Sequence, residues 1–451
     1  MSRLIILANY DGVTTRQSGS GTFVMNYLRA IDFANQHIQD FPYIPILIGP
    51  KYSVHATEIE NKNRELCHKW GGQLVLVTPK GPNSTYRMWA PPTWDEQVEH
   101  TVAAIASLVP HFHTRVDEVR IVANDVLYAT LPQRLIEAAF DDGPPLRQMW
   151  IPHSSAHGYA GPAATRDPFR LHREDNAIRN ASIFGYKIGA IGPYFQTHLI
   201  EKYGAHRSTI KLLKGGIIAS DFTSPLLEPT VMAHLQKQGI PLGKKYVFSM
   251  GQGIAIKGHD LAIRAFASVK RKLDWDDLHL VIVAPSRPYQ DPEHDSRLLY
   301  LIQRFRLEES VTYIPRFNTE VAPAMYQHPQ TLAMLIPVRE SPEDLIPMEC
   351  RANPKNLILV TSSQGSNTTQ VTDSVDGFTA DISAFLEPPS LADFQIASDS
   401  ELLLGPCDLV TKLECAVTLS GEVRRRMVHA GRKTIDTQFN LKKNIDSNLD
   451  F

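Results

Sequence analysis

The chain has 451 residues, of which 43% are hydrophobic and 21% charged, and its formal net charge is −2. This is the composition of an ordinary globular protein, and the length predicts two or three domains. Because basic residues are not in excess, neither nucleic acid nor an anionic membrane surface is expected as the main partner.

The cysteines and the first residues of the sequence indicate the cellular compartment in which the protein is expected. The sequence has no CxxC pair, and four cysteines in a chain of this length indicate a reducing environment. The opening MSRLIILANYDG holds an apolar run that is too short for a signal peptide and is typical of a buried strand. No apolar stretch approaches the ~20 residues that cross a bilayer. We therefore expect a cytoplasmic protein without a transmembrane segment.

Short apolar runs alternate with helical segments along most of the chain. Runs that are apolar on both faces and separated by helices are typical of a parallel sheet covered on both sides. The fold class is therefore α/β, with two Rossmann-like, doubly wound parallel-sheet domains. The predicted strands cover residues 4–9, 44–49, 73–78, 119–124, 147–152, 184–191 and 209–214, and then 246–251, 278–285, 311–315, 332–337 and 356–362.

A break in this alternation predicts the domain organisation, because residues 220–245 carry three prolines and no strand pattern. We predict an N-terminal domain at 1–222, a linker at 223–244, a C-terminal domain at 245–415, and terminal helices at 416–451 that could pack back on the first domain. Ligands bind beyond the carboxyl ends of parallel strands. We therefore expect a site in the cleft across which the two domains face each other.

Two strand ends of the first domain carry candidate binding residues. Gly19 and Gly21 stand directly before a helix in NYDGVTTRQSGSGTF, where main-chain N–H groups can approach an anion. A flexible loop with a helix cap explains the same glycines. His153 follows the strand at 147–152, and His157 comes four residues later. The segment lacks the acid of a zinc-protease arrangement, so we expect no metal, and a hydrogen-bonded loop histidine is the simpler alternative.

The second domain repeats this pattern around a lysine. In FSMGQGIAIKGHDLAIRAF a strand ends in a glycine turn, and Lys257 precedes an amphipathic helix. Its ammonium group and the helix N-terminus can together meet a diphosphate. The motif is not a P-loop, because His259 stands where Lys-Ser/Thr is required. Further along, the hydroxyl-rich turn SSQGSNTT suits a helix start that presents N–H groups to phosphate.

Four segments of the second domain occur in the order of a known family. They are SMGQGIAIKGHDLAIRAF, LHLVIVAP with LIQRFRLEESVTYIP, MYQHPQTLAMLIPVRESPEDLIPMECRA and LILVTSSQGSNTTQVTDSVDGF. This succession resembles the nucleotide-binding domain of GT-B glycosyltransferases of the retaining, family-4-like kind (glycosyltransferase group 1). In the first domain SGSGTFVMNYLRAI, WIPHS and KLLKGGIIASDF resemble the family's glycine loop, histidine segment and closing segment. The resemblance spans most of residues 1–385.

The resemblance implies a role for each matching position. Lys257 would bind the diphosphate of a nucleotide-sugar donor, and Glu349 would accept hydrogen bonds from the ribose hydroxyls. His153 would lie near the transferred sugar. Gly19 and Gly21 would let their loop approach the diphosphate or the acceptor. The phosphates would be met by the main chain at Gly251, Ser363, Gly365, Ser366, Asn367 and Thr368.

One departure from the family pattern concerns a phosphate-pairing charge. Gln252 stands where the family has an arginine, although the position remains part of the implied donor site. Arg287 and Arg339, at nearby strand ends, are the candidates to supply the missing charge.

The second departure concerns the donor sugar. Ser341 stands where the family has the first of two acids, which contacts sugar hydroxyls. Glu340 and Glu343 flank it. We therefore keep Ser341 in the implied donor site and place Glu340 with His153 and Lys257 among the catalytic candidates.

Two other signals have simpler explanations. The sequence DWDD at 274–277 contains a DxD, the metal motif of another glycosyltransferase fold, but it precedes a strand, so a solvated turn is expected. The loop NSTYRMWAPPTW at 83–94 carries three aromatic residues that could stack on an acceptor, and an ordinary surface loop is the alternative.

The resemblance implies a metal-independent, retaining hexosyltransferase without a cofactor. The donor is expected to be a UDP-sugar, with GDP- and ADP-sugars as alternatives, and the acceptor a small soluble metabolite or glycoside. The sequence leaves the oligomeric state open, and an oligomer is possible. Because no carboxylate stands as an evident inline nucleophile, we favour a front-face mechanism in which the leaving phosphate assists the acceptor. A sugar-nucleotide epimerase on the same fold and a degenerate nucleotide-sugar-binding protein are the alternatives.

Overall fold

The computed structural model describes residues 2–15, 18–37, 42–79, 84–87, 90–138, 144–157, 168–222, 224–287, 291–316, 318, 320–341, 344–352 and 354–451. These residues form two compact units. Unit 1 comprises the described residues up to Ile218 together with Asn440–Phe451, and unit 2 comprises those within Ala219–Phe439.

Unit 1 is built on a seven-stranded sheet in the order β3-β2-β1-β4-β5-β6-β7, and all of its strand pairs are parallel. The central strands are buried on both faces, as their continuous apolar runs predict. The strands are β1 (Ser2–Ala8), β2 (Tyr43–Pro50), β3 (Gln73–Val77), β4 (Val116–Asn124), β5 (Leu146–Ile151), β6 (Lys187–Ile191) and β7 (Ile210–Leu213). The helices between them are α1 (Gly19–Asn35), α2 (Glu58–Lys69), α3 (Trp94–Phe112), α4 (Leu131–Glu137), α5 (Pro168–Phe184) and α6 (Pro193–Tyr203).

Unit 2 has a six-stranded, all-parallel sheet in the order β10-β9-β8-β11-β12-β13. Its strands are β8 (Lys245–Met250), β9 (Leu278–Val283), β10 (Val311–Ile314), β11 (Thr331–Ile336), β12 (Ile358–Ser362) and β13 (Phe378–Ala380). Its helices are α7 (Glu228–Lys237), α8 (His259–Leu273), α9 (His294–Arg304), α10 (Val321–Gln327), α11 (Ile346–Ala352), α12 (Asn367–Gln370), α13 (Leu391–Ile396), α14 (Asp399–Leu402), α15 (Asp408–Thr418) and α16 (Gly421–Gln438).

Alternate residues of the unit 2 strands supply two separate cores, one on each face of the sheet. Leu280 and Ile282 of β9 belong to one core, whereas Val281 and Val283 belong to the other. Successive side chains of a strand point to opposite sides of the sheet, so an apolar strand makes both faces apolar. Helices therefore cover both faces. The predicted doubly wound α/β fold is thus confirmed, and each predicted strand is present. The short edge strand β13 was not predicted.

The segment predicted as a linker, 223–244, contains α7, which packs on α10 within unit 2. The Gln327 side chain ties this segment down, because its Oε1 accepts from the Leu226 N–H at 2.6 Å and its Nε2 donates to the Ser224 carbonyl oxygen at 3.1 Å. Within the described residues, no helix combines the length and apolar character needed to cross a membrane.

The C-terminal segment divides between the units. Helix α16 lies in unit 2, whereas α17 (Leu441–Leu449) lies in unit 1 and packs on α1. Leu441, Ile445 and Leu449 are buried and recur every four residues, which places them on one helix face. The Asn448 side chain accepts from and donates to the main chain just after β7, at 2.8 and 2.9 Å. Residues 440–451 are therefore part of unit 1.

Candidate functional site

The strand order of each sheet reverses at one point, between β1 and β4 in unit 1 and between β8 and β11 in unit 2. Doubly wound sheets bind ligands beyond the carboxyl ends of the strands at such a reversal. In unit 2 the reversal brings together two predicted segments: the turn after β8, which carries Lys257, and residues 337–341 after β11.

These two segments are packed tightly together. Gly258 has a φ of +70°, and a Cβ there would lie 2.0 Å from the Pro337 carbonyl oxygen, so only glycine fits. The Arg339 main-chain N–H donates to the Ile256 carbonyl oxygen at 2.8 Å. Both contacts fix the main chain from which the Lys257 side chain extends.

Arg339 does not supply the phosphate-binding charge that the sequence suggested in place of Gln252. Its guanidinium is buried and pairs with both carboxylate oxygens of Asp260, at 2.8 and 2.7 Å. It also donates to the carbonyl oxygens of Ala255 and Phe385. Burial, the largest single influence, would raise the pKa of Asp260. The charge and hydrogen bonds of Arg339, with smaller contributions from Arg264 and Arg297, together outweigh burial and hold that pKa below its usual value. Arg339 therefore supports the turn after β8 from inside the protein.

A second carboxylate holds the same turn. The Ala255 main-chain N–H donates to Asp291 Oδ2 at 2.8 Å, and Arg297 Nη2 donates to the same oxygen at 2.5 Å. The main chain of Ala255 is thus held at its N–H by Asp291 and at its carbonyl by Arg339. Such double anchoring fixes the position of a binding side chain on a loop.

Beneath the glycines of the turn lies a buried histidine. His259 Nε2 is 3.3 Å from the Gln252 carbonyl oxygen, and its Nδ1 is 3.3 Å from Ser249 Oγ. A carbonyl only accepts, so Nε2 carries the proton. Burial, with a contribution from His294, lowers the pKa of His259 to about 3, and the ring is neutral at pH 7. A Cβ at Gly251 would lie 3.3 Å from this ring, so the absence of a side chain there leaves room for it.

Lys257 is paired with a carboxylate that sequence reasoning missed. Its Nζ lies 3.5 Å from Asp344 Oδ2, and the two side chains are 15% and 6% exposed. Asp344 stands in the same acidic stretch as Ser341 and Glu340, but the family pattern has no acid at its position. Only the fold shows which member of that stretch meets the lysine.

The turn after β12 uses several of its main-chain N–H groups within the protein. Ser363 donates to the last residue of β13 at 2.7 Å, Ser366 to the Ser341 carbonyl oxygen at 2.9 Å, and Thr368 to the Gly365 carbonyl oxygen at 3.3 Å. These three N–H groups therefore have acceptors within the protein, and the predicted phosphate role suits the other N–H groups of the turn better.

The same turn is packed on Ser341 and contains an unpaired amide. Gly365 has a φ of +59°, and a Cβ there would lie 2.3 Å from the Ser341 carbonyl oxygen. The Asn367 side chain is fully buried, and neither its oxygen nor its nitrogen has a hydrogen-bond partner among the described residues. Buried polar groups are normally paired. The turn therefore carries hydrogen-bonding capacity that the protein does not use.

The two predicted glutamates are both half-buried. Glu349 lies on α11, and its main-chain N–H donates to the Leu345 carbonyl oxygen at 2.9 Å. Burial chiefly raises the pKa of Tyr326, and the nearby Glu349 charge raises it further. Glu340 follows Arg339 directly, and Glu343 lies outside the described residues.

In unit 1, His153 follows β5 and is hydrogen-bonded to the end of β4. Its Nε2 is 3.0 Å from Asn124 Oδ1, while Asn124 Nδ2 donates to the carbonyl oxygens of Ala8 and Val122, both at 3.2 Å. Because Oδ1 can only accept, Nε2 carries the proton and Nδ1 presents a lone pair. Phe23 packs against the ring with centroids 4.5 Å apart. Burial lowers the pKa of His153 to about 4, so the imidazole is neutral at pH 7.

Replacing Asn124 by aspartate is expected to raise the pKa of His153 from about 4 by about 1–3 units, because a neighbouring carboxylate stabilises the imidazolium. In the wild type, the unfolded chain binds this proton first as the pH falls, near 6.5, so stability falls between pH ~6.5 and ~4. The variant should lose less stability in that window. An NMR titration of the His153 ring measures the pKa directly.

Asn180→Asp is the matched control, because it adds the same charge on α5 and should leave the titration of His153 at about 4. If His153 titrates alike in Asn124→Asp and in the wild type, the hydrogen bond between Asn124 and His153 does not determine its protonation.

The glycine loop before α1 is organised around a buried aspartate. The Asp11 carboxylate accepts from the Thr15 hydroxyl at 2.8 Å and from the Ser18 main-chain N–H and hydroxyl, both at 2.7 Å. A Cβ at Gly21 would lie 2.4 Å from Asp11 Oδ2, and the Gly21 N–H donates to the Ser18 cap at 3.2 Å. Packing and capping thus account for Gly21, whereas Gly19 is exposed and has no neighbour at its Cβ position.

The segment after His153 is anchored by a buried polar cluster. Ser155 Oγ is 2.7 Å from His198 Nε2 and 2.9 Å from the Tyr203 hydroxyl, and that hydroxyl donates to Glu174. The main-chain N–H after Ser155 donates to the same glutamate at 2.8 Å. These bonds fix the main chain that leaves the His153 position.

Asp125, directly after β4, has a φ of +64° and a ψ of 175°, a conformation that residues other than glycine seldom adopt. Three hydrogen bonds hold it there: its N–H donates to Ile151, its carbonyl accepts from the Trp150 indole, and its carboxylate accepts from the Val126 N–H. Such strain costs about 1–3 kcal/mol and is concentrated at functional sites. The Asp125 charge also acts on the pKa of His153. The sequence feature that could have identified Asp125 is its position directly after a predicted strand.

Comparison with known proteins agrees with the fold. Residues 232–384 match the family model described as glycosyl transferases group 1. A search among curated proteins found no match. Solved structures with a similar fold include sucrose-phosphate synthase from Thermosynechococcus elongatus (15% identity, TM-score 0.67, 99% of this chain and 97% of that chain covered). A glycosyltransferase from Rickettsia africae has 13% identity and a TM-score of 0.65, with 99% and 96% covered. Anabaena HepE, in complex with UDP and glucose, has 13% identity and a TM-score of 0.64, with 98% and 97% covered.

Proposed function

Because residues 232–384 match the family model of the group 1 glycosyl transferases, we propose that this protein is a retaining glycosyltransferase that moves a sugar from a nucleotide-sugar donor to an acceptor hydroxyl. Unit 2 binds the donor, and unit 1 binds the acceptor and carries His153. The observation that supports this most strongly is the placement of Lys257, which stands at the strand-order reversal of unit 2 on a turn anchored from both sides.

The donor site stabilises the leaving diphosphate. Breaking the bond between the sugar and the phosphate builds negative charge on the diphosphate, which fixed cations and amide dipoles lower in energy. Lys257 supplies the cation, and the N–H groups of Gln364, Gly365 and Asn367 supply the dipoles. We expect UDP as the nucleotide, since HepE of similar fold was solved with UDP and glucose. With these groups in place the reaction requires no metal, and transfer should persist in a chelator.

The front-face reaction conserves the anomeric configuration. The anomeric carbon–oxygen bond to the phosphate breaks, the acceptor oxygen bonds to that carbon on the same face, and the acceptor proton passes to the leaving phosphate oxygen. His153 is neutral and presents the Nδ1 lone pair, so its side chain suits a sugar hydroxyl, which donates, better than a negative charge. The acceptor is a small soluble hydroxyl compound.

Replacing Glu349 by alanine is expected to weaken nucleotide binding about 10- to 100-fold, because ribose hydroxyls lose a charged acceptor. The sharper readout is selectivity: the variant should no longer distinguish UDP from 2′,3′-dideoxy-UDP, which the wild type should disfavour. Calorimetric titration measures both. Glu308→Ala, on an exposed residue, should behave like the wild type. If Glu349→Ala still prefers UDP to 2′,3′-dideoxy-UDP, Glu349 does not bind the ribose hydroxyls.

The proposed function is tested by incubating the full chain with UDP-, GDP- and ADP-sugars, with and without a panel of hydroxyl acceptors, and measuring the release of nucleoside diphosphate. We expect release from one donor only when an acceptor is present. Release that never depends on an acceptor would contradict transfer and favour the epimerase, and binding without turnover would favour a degenerate binding protein.

A further inference from the structure

Asp344 is a charged residue beside Lys257 that neither the family pattern nor the proposed function uses. Its main-chain N–H donates to Ser366 Oγ at 3.2 Å, which ties it to the turn after β12. Its carboxylate is 6% exposed, and Oδ2 lies 3.5 Å from Lys257 Nζ. Asp344 thus stands between the two segments to which we assign the donor phosphates.

The carboxylate is incompletely satisfied. Oδ2 has no hydrogen-bond partner among the described residues, and the lysine, at 3.5 Å, is beyond good hydrogen-bonding distance. An ionised carboxylate is an acceptor only, so what it lacks is a donor group. A buried charged oxygen without such a partner is unfavourable, and it gains most from a ligand that carries hydroxyl groups.

A nucleotide sugar provides hydroxyl groups at this place. If Lys257 binds the diphosphate, the sugar attached to the terminal phosphate is its immediate neighbour. Ser341, the position at which the family has its sugar-binding acid, is 3% exposed, and its carbonyl oxygen accepts from Ser366 while Gly365 packs on it. It presents no charge and is confined on both sides.

We propose that Asp344 is the acid that binds the donor sugar, through hydrogen bonds from the sugar hydroxyls to its carboxylate. This inference rests on the proposed function, because it assumes that Lys257 binds the diphosphate. It assigns sugar recognition to a residue three positions beyond the one expected, which accounts for the loss of an acid at Ser341.

The proposal predicts that removing the Asp344 charge changes two binding affinities in opposite directions. In the unliganded protein Asp344 neutralises Lys257, so a nucleoside diphosphate that lacks a sugar must compete with this carboxylate. Replacing Asp344 by asparagine removes that competition and should tighten the binding of the free diphosphate. The same change removes the charged acceptor and should weaken the binding of the nucleotide sugar. A residue with a merely structural role would move both affinities in one direction.

The experiment compares the full-length wild type with Asp344→Asn by calorimetric titration of UDP against UDP-glucose, GDP against GDP-glucose and ADP against ADP-glucose. With the nucleotide that the wild type binds, we expect Asp344→Asn to bind the diphosphate about 3-fold more tightly and its glucose conjugate about 10-fold more weakly, the size of a lost hydrogen bond to a charged group. The matched control is Asp277→Asn, which removes an aspartate 3.0 Å from Lys245 at the amino ends of β8 and β9 and should change neither affinity.

Equal changes in both affinities, or none, would overturn the role of Asp344 while leaving the proposed function intact. If the wild type binds none of the three nucleotides or their conjugates, the proposed function fails and the inference fails with it. Thermal unfolding of both variants shows whether a loss of binding reflects a loss of folded protein.

Discussion

Replacing Lys257 by alanine is expected to lower the rate of sugar transfer about 100- to 1,000-fold, the usual effect of removing one preorganised group that stabilises transition-state charge. The turn around Lys257 is held through main-chain contacts of Ala255 and Ile256, so it should keep its shape without the side chain. The loss should fall mainly on kcat, because the negative charge on the diphosphate grows as the glycosidic bond breaks. Steady-state kinetics with the donor that the wild type uses measures this effect.

Lys245→Ala is the control for the loss of a lysine. Lys245 also pairs with an aspartate, Asp277, at 3.0 Å, but it opens β8 at the amino edge of the sheet. The Lys245→Ala variant should transfer sugar at the wild-type rate. A rate for Lys257→Ala within about 3-fold of the wild type would remove the lysine from the reaction, since one lost charge of this kind is worth far more.

The second large effect is on stability. Replacing Arg339 by methionine is expected to lower the free energy of unfolding of unit 2 by about 3–5 kcal/mol, because Asp260 would remain buried without its partner. Both side chains are almost fully buried, at 3% and 7% exposure. Urea titration followed by hydrogen exchange in peptides from 245–362 reports on unit 2 separately, which matters because two units need not unfold in one step.

Two further measurements separate stability from ligand binding. The double variant Arg339→Met, Asp260→Leu should recover most of the lost stability, since replacing a whole buried pair by apolar groups is far less costly than breaking it. Because the pKa of Asp260 is held low, the pair stabilises unit 2 above the ordinary aspartate pKa of ~3.9, and this stability is lost as the pH falls below it. If Arg339→Met is as stable as the wild type but loses as much sugar transfer as Lys257→Ala, then Arg339 binds the phosphates and not only Asp260.

Most of the fold could be predicted from the sequence because a strand buried on both faces is a local pattern. Runs such as LIILAN and LHLVIV show it without any partner in view. The three-residue edge strand β13 could not be recognised, since its pairing with β12 is what defines it. The sequence suggested that terminal helices at 416–451 could pack back on the first domain, but it could not show where α17 (Leu441–Leu449) lies on that domain. Its amphipathic pattern shows that one face is buried, whereas the contact of Asn448 with the main chain after β7 joins parts of the chain that are 234 residues apart.

For the candidate site, the sequence indicated positions but not partners. Lys257 was predicted because a lysine at the start of a helix after a strand can meet a diphosphate together with the helix N-terminus. The sequence suggested Arg339 for a phosphate and did not single out Asp344. The sequence alone does not show which charged residues of this stretch are buried, because burial depends on the fold. The distances of Arg339 to Asp260 and of Asp344 to Lys257 decide this, and the two pairs join residues 79 and 87 positions apart in the chain.

The account is tested most directly by the ¹H NMR signal of the anomeric proton, followed during reaction of the wild-type chain with the donor it binds and a panel of hydroxyl acceptors. The account predicts that the donor signal is replaced by a new glycosidic signal of the same anomeric configuration, in step with the release of nucleoside diphosphate, and only when an acceptor is present. Loss of the donor signal without an acceptor, with free or epimerised sugar as the product, would contradict it.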